Sequence, residues 1–182
     1  DRVVTVVPEG ERAEAMQRIS GWPLARSPIV VEGGKERHHS VMKGLQAAPP
    51  ECEWIKVHDG VRPFVTHELI QRVLEAARRE GSAVAAVTPS DTIKTRVDQR
   101  VGDTLERSRL AAVQTPQAFR RSILQQAYAA AAAEDSFSTD DAALVERLGL
   151  PVALVQGDYR NIKITTAIDL AIADAIMEGW KQ

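Results

Sequence analysis

No disulfide framework is open to this chain, because Cys52 is its only cysteine. A lone thiol fits a reducing, cytoplasmic setting, and just ahead of a strand-like run it reads as an ordinary side chain. No apolar run is long enough to span a bilayer and no secretory signal opens the sequence, so no membrane partner is expected. Neither sign of charge dominates: 23 Lys+Arg stand against 25 Asp+Glu, a net charge of −2. That balance argues against a general nucleic-acid surface. The histidines (His38, His39, His58 and His67) have no companions at zinc-site spacing, so no protein metal site is expected. No serine sits in a nucleophile-elbow motif, and nothing around Cys52 would activate it. Covalent catalysis is therefore disfavoured. What remains is chemistry by positioning and charge neutralisation.

What the chain does have is alternation. Its 182 residues suit one domain with a sizeable core. Apolar, β-branched runs predict strands at 2–8, 28–32, 53–58, 83–87 and 151–155, the first of them buried on both faces. Helical spacing predicts helices at 11–19, 35–48, 66–79, 120–133, 138–148 and 166–178. Thr66 reads as an N-cap, and Gly149 as a helix stop. Strand–helix alternation of this kind implies an α/β fold: a Rossmann-like, mostly parallel sheet flanked by helices. The pattern breaks at 92–112. Thr92 to Val97 alternates, 98–103 turns, and 104–110 follows, which predicts a protruding two-stranded β-arm. A hairpin alone is marginal, so the arm is expected to pack on a second subunit as a dimerisation element; a solvent-exposed flap is the other reading.

The stretch Trp54-Ile55-Lys56-Val57-His58-Asp59-Gly60-Val61-Arg62-Pro63-Phe64 runs from an apolar strand into a polar loop. Ligands of open parallel sheets bind beyond the carboxyl ends of the strands, where Asp59 would meet a cation and Arg62 a phosphate. The same two residues also fit an ordinary loop in which they pair with each other. Gly33-Gly34, between a strand and a helix, permits close backbone approach at a helix N-terminus that favours anions, although such pairs are often only turns. Cations recur at presumed strand ends and on the arm (Arg37, Arg62, Lys94, Arg107, Lys163). Hydroxyls recur near them (Ser40, Thr92, Thr115, Thr139, Thr165). Together they suit a phosphate-bearing substrate. Asp140 and Asp141 also fit as plain helix N-terminal acids, with Thr139 as their cap, and Lys163 fits as a solvated lysine.

Six stretches, 33–41, 57–63, 91–94, 114–119, 139–141 and 161–165, occur in an order that resembles the 2-C-methyl-D-erythritol 4-phosphate cytidylyltransferases, the IspD family of nucleotidyltransferases. The resemblance implies transfer of CMP from CTP to methylerythritol phosphate in non-mevalonate isoprenoid biosynthesis, with Mg2+ bound mainly through the CTP phosphates. It implies nucleotide binding by Gly34, Lys35, Ser40 and Gly60. At Lys35, where the family often carries an acid, the implied contact is through the backbone; Gly60-Val61 replaces the common Ala-Ala. It implies substrate binding by Asp59, Arg62, Thr92, Thr115 and Thr139, and catalytic roles for Arg107 and Lys163. Arg107 would act in the neighbouring site of a homodimer formed through the arm.

The family opens with a strand, a glycine-rich loop and a helix that would precede Asp1. Such a strand–crossover unit takes about 30 residues or more. The expectation is an N-terminally incomplete nucleotidyltransferase domain over 1–182. A ribitol-5-phosphate-type cytidylyltransferase and a non-catalytic nucleotide-binding remnant are the alternatives, and fusion to a later pathway enzyme stays open.

Overall fold

The computed structural model describes residues 2–134, 136, 138 and 140–180. They divide into two compact units, one of residues 1–55 and 119–152, the other of 56–118 and 153–182.

The first unit opens with β1 (Val4–Val7), α1 (Arg12–Ser20), β2 (Ile29–Glu32) and α2 (Arg37–Ala47). β1 and β2 pair in parallel, Val4 opposite Ile29 through Val7 opposite Glu32. The residues of β1 are half-buried rather than buried on both faces, because β2 is the strand it pairs with. Its core gathers from α4 (Arg121–Ala133) and α5 (Asp141–Arg147), where Leu124, Ala127, Tyr128, Leu144 and Val145 are buried. Arg121 fixes the start of α4. Its guanidinium donates to the carbonyls of Cys52 at 2.8 Å, Ala48 at 3.0 Å and Pro49, so three loop carbonyls beyond α2 have a donor.

The second unit is built around β4 (Ser82–Val87), buried at every position. It lies in a four-stranded sheet ordered β3 (Trp54–Val57), β7 (Ala112–Arg120), β4, β8 (Ala153–Gln156). β4 and β8 run parallel, Ala83 opposite Ala153. Small residues in β4 let α3 (His67–Glu80) pack closely. Leu69, Val73, Ala76 and Ala77 recur at helical spacing and all are buried. Thr66 caps this helix as expected, its Oγ1 accepting from the Leu69 N–H at 3.1 Å. α6 (Ala167–Trp180) closes the chain, with Trp180 edge-on to Phe64 at 5.4 Å.

The arm differs in detail from expectation. Its strands are β5 (Lys94–Val97) and β6 (Arg100–Thr104), antiparallel, with Val97 opposite Arg100. The turn is therefore Asp98-Gln99 rather than 98–103, and residues 105–110 hold a loop and a 3-10 turn at Arg107–Arg109 instead of a strand. Asp98 adopts φ 53°, a left-handed conformation that aspartate tolerates and that a two-residue hairpin turn needs. Both faces of the arm are mostly exposed, so no burial pattern fixed its register in the sequence.

Candidate active site

Where β3 ends, its chain enters a tight turn in which the Arg62 N–H donates to the Asp59 carbonyl at 3.0 Å. The turn puts both side chains on one side: Arg62 Nε lies 3.9 Å from Asp59 Oδ2, and both groups are largely buried. A second segment joins them. The Ile164 N–H donates to the Val61 carbonyl at 2.9 Å, which brings Lys163 Nζ to 3.4 Å from Asp59 Oδ2. One carboxylate thus stands between two cations, leaving a local surplus of positive charge. Burial lowers the Arg62 guanidinium below its ordinary value, against the opposing pull of Asp59.

Thr115 enters from β7. Its Oγ1 accepts the Asp59 N–H at 3.0 Å and lies 3.1 Å from His58 Nδ1. Beneath them sits Asn161, which has no solvent exposure. Its Nδ2 donates to the Thr115 carbonyl at 2.8 Å and to Gln114 Oε1 at 3.4 Å. Its backbone carbonyl accepts from Arg62 Nη1 at 2.8 Å. Gln114 in turn donates to the Asp158 carbonyl at 2.9 Å. A side chain at Gly157 would stand 2.5 Å from Gln114 Oε1, so this close approach requires glycine. Arg160 forks onto Asp158 and holds its carboxyl below the usual range. Asn161 and Gln114 belong to motifs visible in the sequence, yet nothing there signals that a buried amide ties Thr115, and the Asn161 backbone carbonyl ties Arg62, to the loop carrying Lys163.

Gly60 lines the same turn, and a Cβ added there would meet nothing within 4 Å, so the site would also admit alanine. Thr92 and Arg107 meet each other at the base of the arm, Arg107 Nη2 lying 3.5 Å from Thr92 Oγ1, with both residues exposed.

In the first unit, Gly34 and Ser40 come together. The Gly34 N–H donates to Ser40 Oγ at 3.2 Å, and Lys43 Nζ donates to the Gly33 carbonyl at 2.8 Å. A Cβ at Gly33 would fall 2.5 Å from Ser40 Oγ, and one at Gly34 2.4 Å from His39 Cβ. The glycines here admit the helix's own side chains. Lys35 is exposed beside them. Arg37, counted among phosphate-ready cations, donates instead to buried Asp141 at 2.8 Å. Tyr128 donates to the other oxygen of the same carboxylate. Burial, then the Asp141 charge, drives the Tyr128 hydroxyl above its ordinary value. Asp141 is therefore the centre of a buried network rather than only a helix-end acid. Two further candidates are engaged locally: Lys94 donates to Thr104 Oγ1 at 2.6 Å, and Thr165 to Asp169 at 3.1 Å. Thr139 lies outside the described residues.

Among the described residues, no group of three or more His, Cys, Asp and Glu side chains is arranged to hold a metal ion. Among the described residues, no helix is long and apolar enough to cross a membrane.

Comparison with known proteins bears on the whole chain. The sequence profile of the 2-C-methyl-D-erythritol 4-phosphate cytidylyltransferases matches residues 1–179. The enzyme of that name from Syntrophus aciditrophicus is 44% identical over 180 residues, covering 98% of this chain and 77% of that protein. The one from Bacillus velezensis is 47% identical over 179 residues, with the same two coverages. Among solved structures, the Thermus thermophilus enzyme superposes with a TM-score of 0.82 at 37% identity, covering 97% of this chain and 82% of that one. The 4-diphosphocytidyl-2C-methyl-D-erythritol synthase of Anaerococcus prevotii gives 0.89 at 31%, covering 98% and 82%. The α/β fold read from alternation is theirs, and the chain belongs to the 2-C-methyl-D-erythritol 4-phosphate cytidylyltransferase family.

Proposed function

We propose that Asp59, Arg62, Thr115 and Lys163 form the acceptor-substrate end of a site that transfers CMP from CTP to 2-C-methyl-D-erythritol 4-phosphate. As a member of its family the chain is a nucleotidyltransferase, a cytidylyltransferase of non-mevalonate isoprenoid biosynthesis. A 4-phosphate oxygen attacks the α-phosphorus of CTP, a new P–O bond forms, and the α–β anhydride breaks to release pyrophosphate. Little covalent work falls to the protein; positioning and charge carry the step.

The observation that carries this reading is the Asp59 carboxylate held between Arg62 and Lys163. Asp59 aims both cations and offsets their mutual repulsion. Lys163 is half-exposed and offers its ammonium to the incoming phosphate, and Arg62 holds the turn through Asn161. Gly34, Lys35, Ser40 and Gly60 are assigned to the nucleotide, Thr92 and Thr139 to the polyol phosphate. Mg2+ would be held mainly by the CTP phosphates rather than by protein carboxylates, and would supply neutralisation of phosphate charge.

The arm is assigned to a homodimer in which Arg107 acts in the neighbouring site. Its exposed Val97 (62%) and Val101 (76%), with Ile93 and Leu105, are apolar side chains that a partner would cover. The chain as a whole is read as one nucleotidyltransferase domain, in keeping with the span of the profile match.

The test is pyrophosphate release by the complete natural protein with CTP, Mg2+ and a panel of polyol phosphates. Release with methylerythritol phosphate and not with ribitol 5-phosphate is expected. Preference for ribitol 5-phosphate would overturn the substrate assignment.

A further inference from the structure

His58 has no role in the reading above, yet both of its ring nitrogens are engaged. Nε2 lies 2.9 Å from the Arg62 carbonyl oxygen, and Nδ1 lies 3.1 Å from Thr115 Oγ1. A carbonyl only accepts, so Nε2 must carry a proton. In the neutral ring Nδ1 is then an acceptor, and the Thr115 hydroxyl must donate to it. The same hydroxyl oxygen accepts the Asp59 N–H at 3.0 Å. With the ring neutral, every donor and acceptor in this chain has one orientation. It runs from the Asp59 N–H through Thr115 Oγ–H to the imidazole, and from the imidazole N–H to the Arg62 carbonyl. Its two ends are the peptide groups of the two charged residues in the turn.

We infer that His58, as the neutral Nε2–H tautomer, is a positioning residue that clamps both ends of the Asp59–Arg62 turn through Thr115. It touches no reacting atom. Its effect is to fix where Asp59 and Arg62 stand relative to Lys163, the kind of placement in which an error of about 1 Å can cost about 10²-fold in rate. A second consequence concerns Thr115. With its proton donated to His58 and one lone pair taken by Asp59, its oxygen offers a ligand only an acceptor. An acceptor matches a hydroxyl of the polyol and not a phosphate oxygen. The kinetic part of this inference rests on the CMP-transfer reading; the tautomer does not.

The experiment has two arms. In the first, ¹⁵N chemical shifts of His58, assigned by comparison with H58Q, are read at neutral pH. They are expected to show a neutral ring protonated on Nε2. A ring protonated on Nδ1, or a cationic ring, would overturn the clamp whether or not the protein transfers CMP. In the second, kcat and KM are measured for H58A, H58Q and T115V in the complete natural protein. H58A is expected to lose about 10²-fold in kcat with KM for CTP changed less than about threefold. H58Q, whose amide N–H can still reach the Arg62 carbonyl, is expected to recover about tenfold of that loss. T115V in the H58A background is expected to cost little more than the worse single change, because the two act as one unit. An H58A kcat within about threefold of wild type, or full additivity with T115V, would overturn the inference. Absence of any CMP transfer by the wild-type protein would instead sink the functional reading and leave the NMR arm to judge the clamp.

Discussion

Replacing Asn161 with alanine tests whether the buried amide holds the site together. The change removes the 2.8 Å bond to the Thr115 carbonyl and the longer one to Gln114. A typical hydrogen bond contributes about 1 kcal/mol net, and a buried carbonyl left without a donor costs about 1–3 kcal/mol. One contribution runs the other way. Asn161 Oδ1 is buried with no hydrogen-bond partner, so removing it returns part of a desolvation cost of about 1 kcal/mol. The balance is a loss of roughly 1.5–3 kcal/mol. For a protein of this size each kcal/mol lowers Tm by about 2–4 °C, so N161A should melt roughly 3–12 °C lower. Activity should fall as well, because a shifted loop carries with it the Asn161 backbone carbonyl that steadies Arg62, and Lys163 two residues along. A drop of about 10- to 100-fold in kcat is expected for a displaced loop. N161D is the sharper variant. It keeps the shape but turns an oxygen toward two acceptors, and should be less stable than N161A. Urea denaturation and pyrophosphate release read both effects. Wild-type stability in N161D, or a loss under about 0.5 kcal/mol with full turnover in N161A, would refute the network as the support of the site.

Other consequences follow from single contacts. Tyr128→Phe removes one of the donors to the buried Asp141 carboxylate and should cost about 1.5–3 kcal/mol in urea denaturation, since bonds to charged groups are the stronger kind; no change in midpoint would refute the network. Asp169 accepts the Thr165 N–H at 2.9 Å and the Thr166 N–H at 2.8 Å, and these bonds hold its carboxyl below its ordinary value. Its contribution is therefore present above the unfolded carboxylate value of about 3.9 and is lost as pH falls through the lower folded value. Acid melts of D169N should show a flatter fall in that window than wild type, and parallel curves would contradict the cap. Deleting residues 93–110 should convert a dimer to monomers by light scattering, and a persistent dimer would refute the arm's role.

The elements that were legible in the sequence are those fixed by short-range chemistry. The Ala83–Val87 run could only be a buried strand, and Thr66 announces α3 through its hydroxyl. The strand running out at Val57 also gave the right loop for Asp59 and Arg62, and an ion pair between them was one of the two readings open. What was hidden depends on partners far away in the chain. Arg37 looks like any phosphate-seeking cation until Asp141, 104 residues later, takes its guanidinium. Asn161 looks like a loop residue until Thr115 and Gln114 surround it. Tyr128 changes Asp141 from a helix-end acid into a buried centre, and a helix pattern carries no trace of that hydroxyl. The arm's register escaped for another reason: with both faces exposed, alternation alone does not say where the turn falls.

The most direct test of the central claim is turnover of Lys163→Ala, with CTP, Mg2+ and methylerythritol phosphate, beside its thermal melt. Lys163 is half-exposed and touches Asp59 at 3.4 Å, so its loss should scarcely move stability. If its ammonium meets the acceptor phosphate, kcat should fall by about 10² or more while Tm stays within about 2 °C. Turnover near wild type in a folded K163A protein would contradict the assignment of this carboxylate-and-cation cluster as the reacting end of the site.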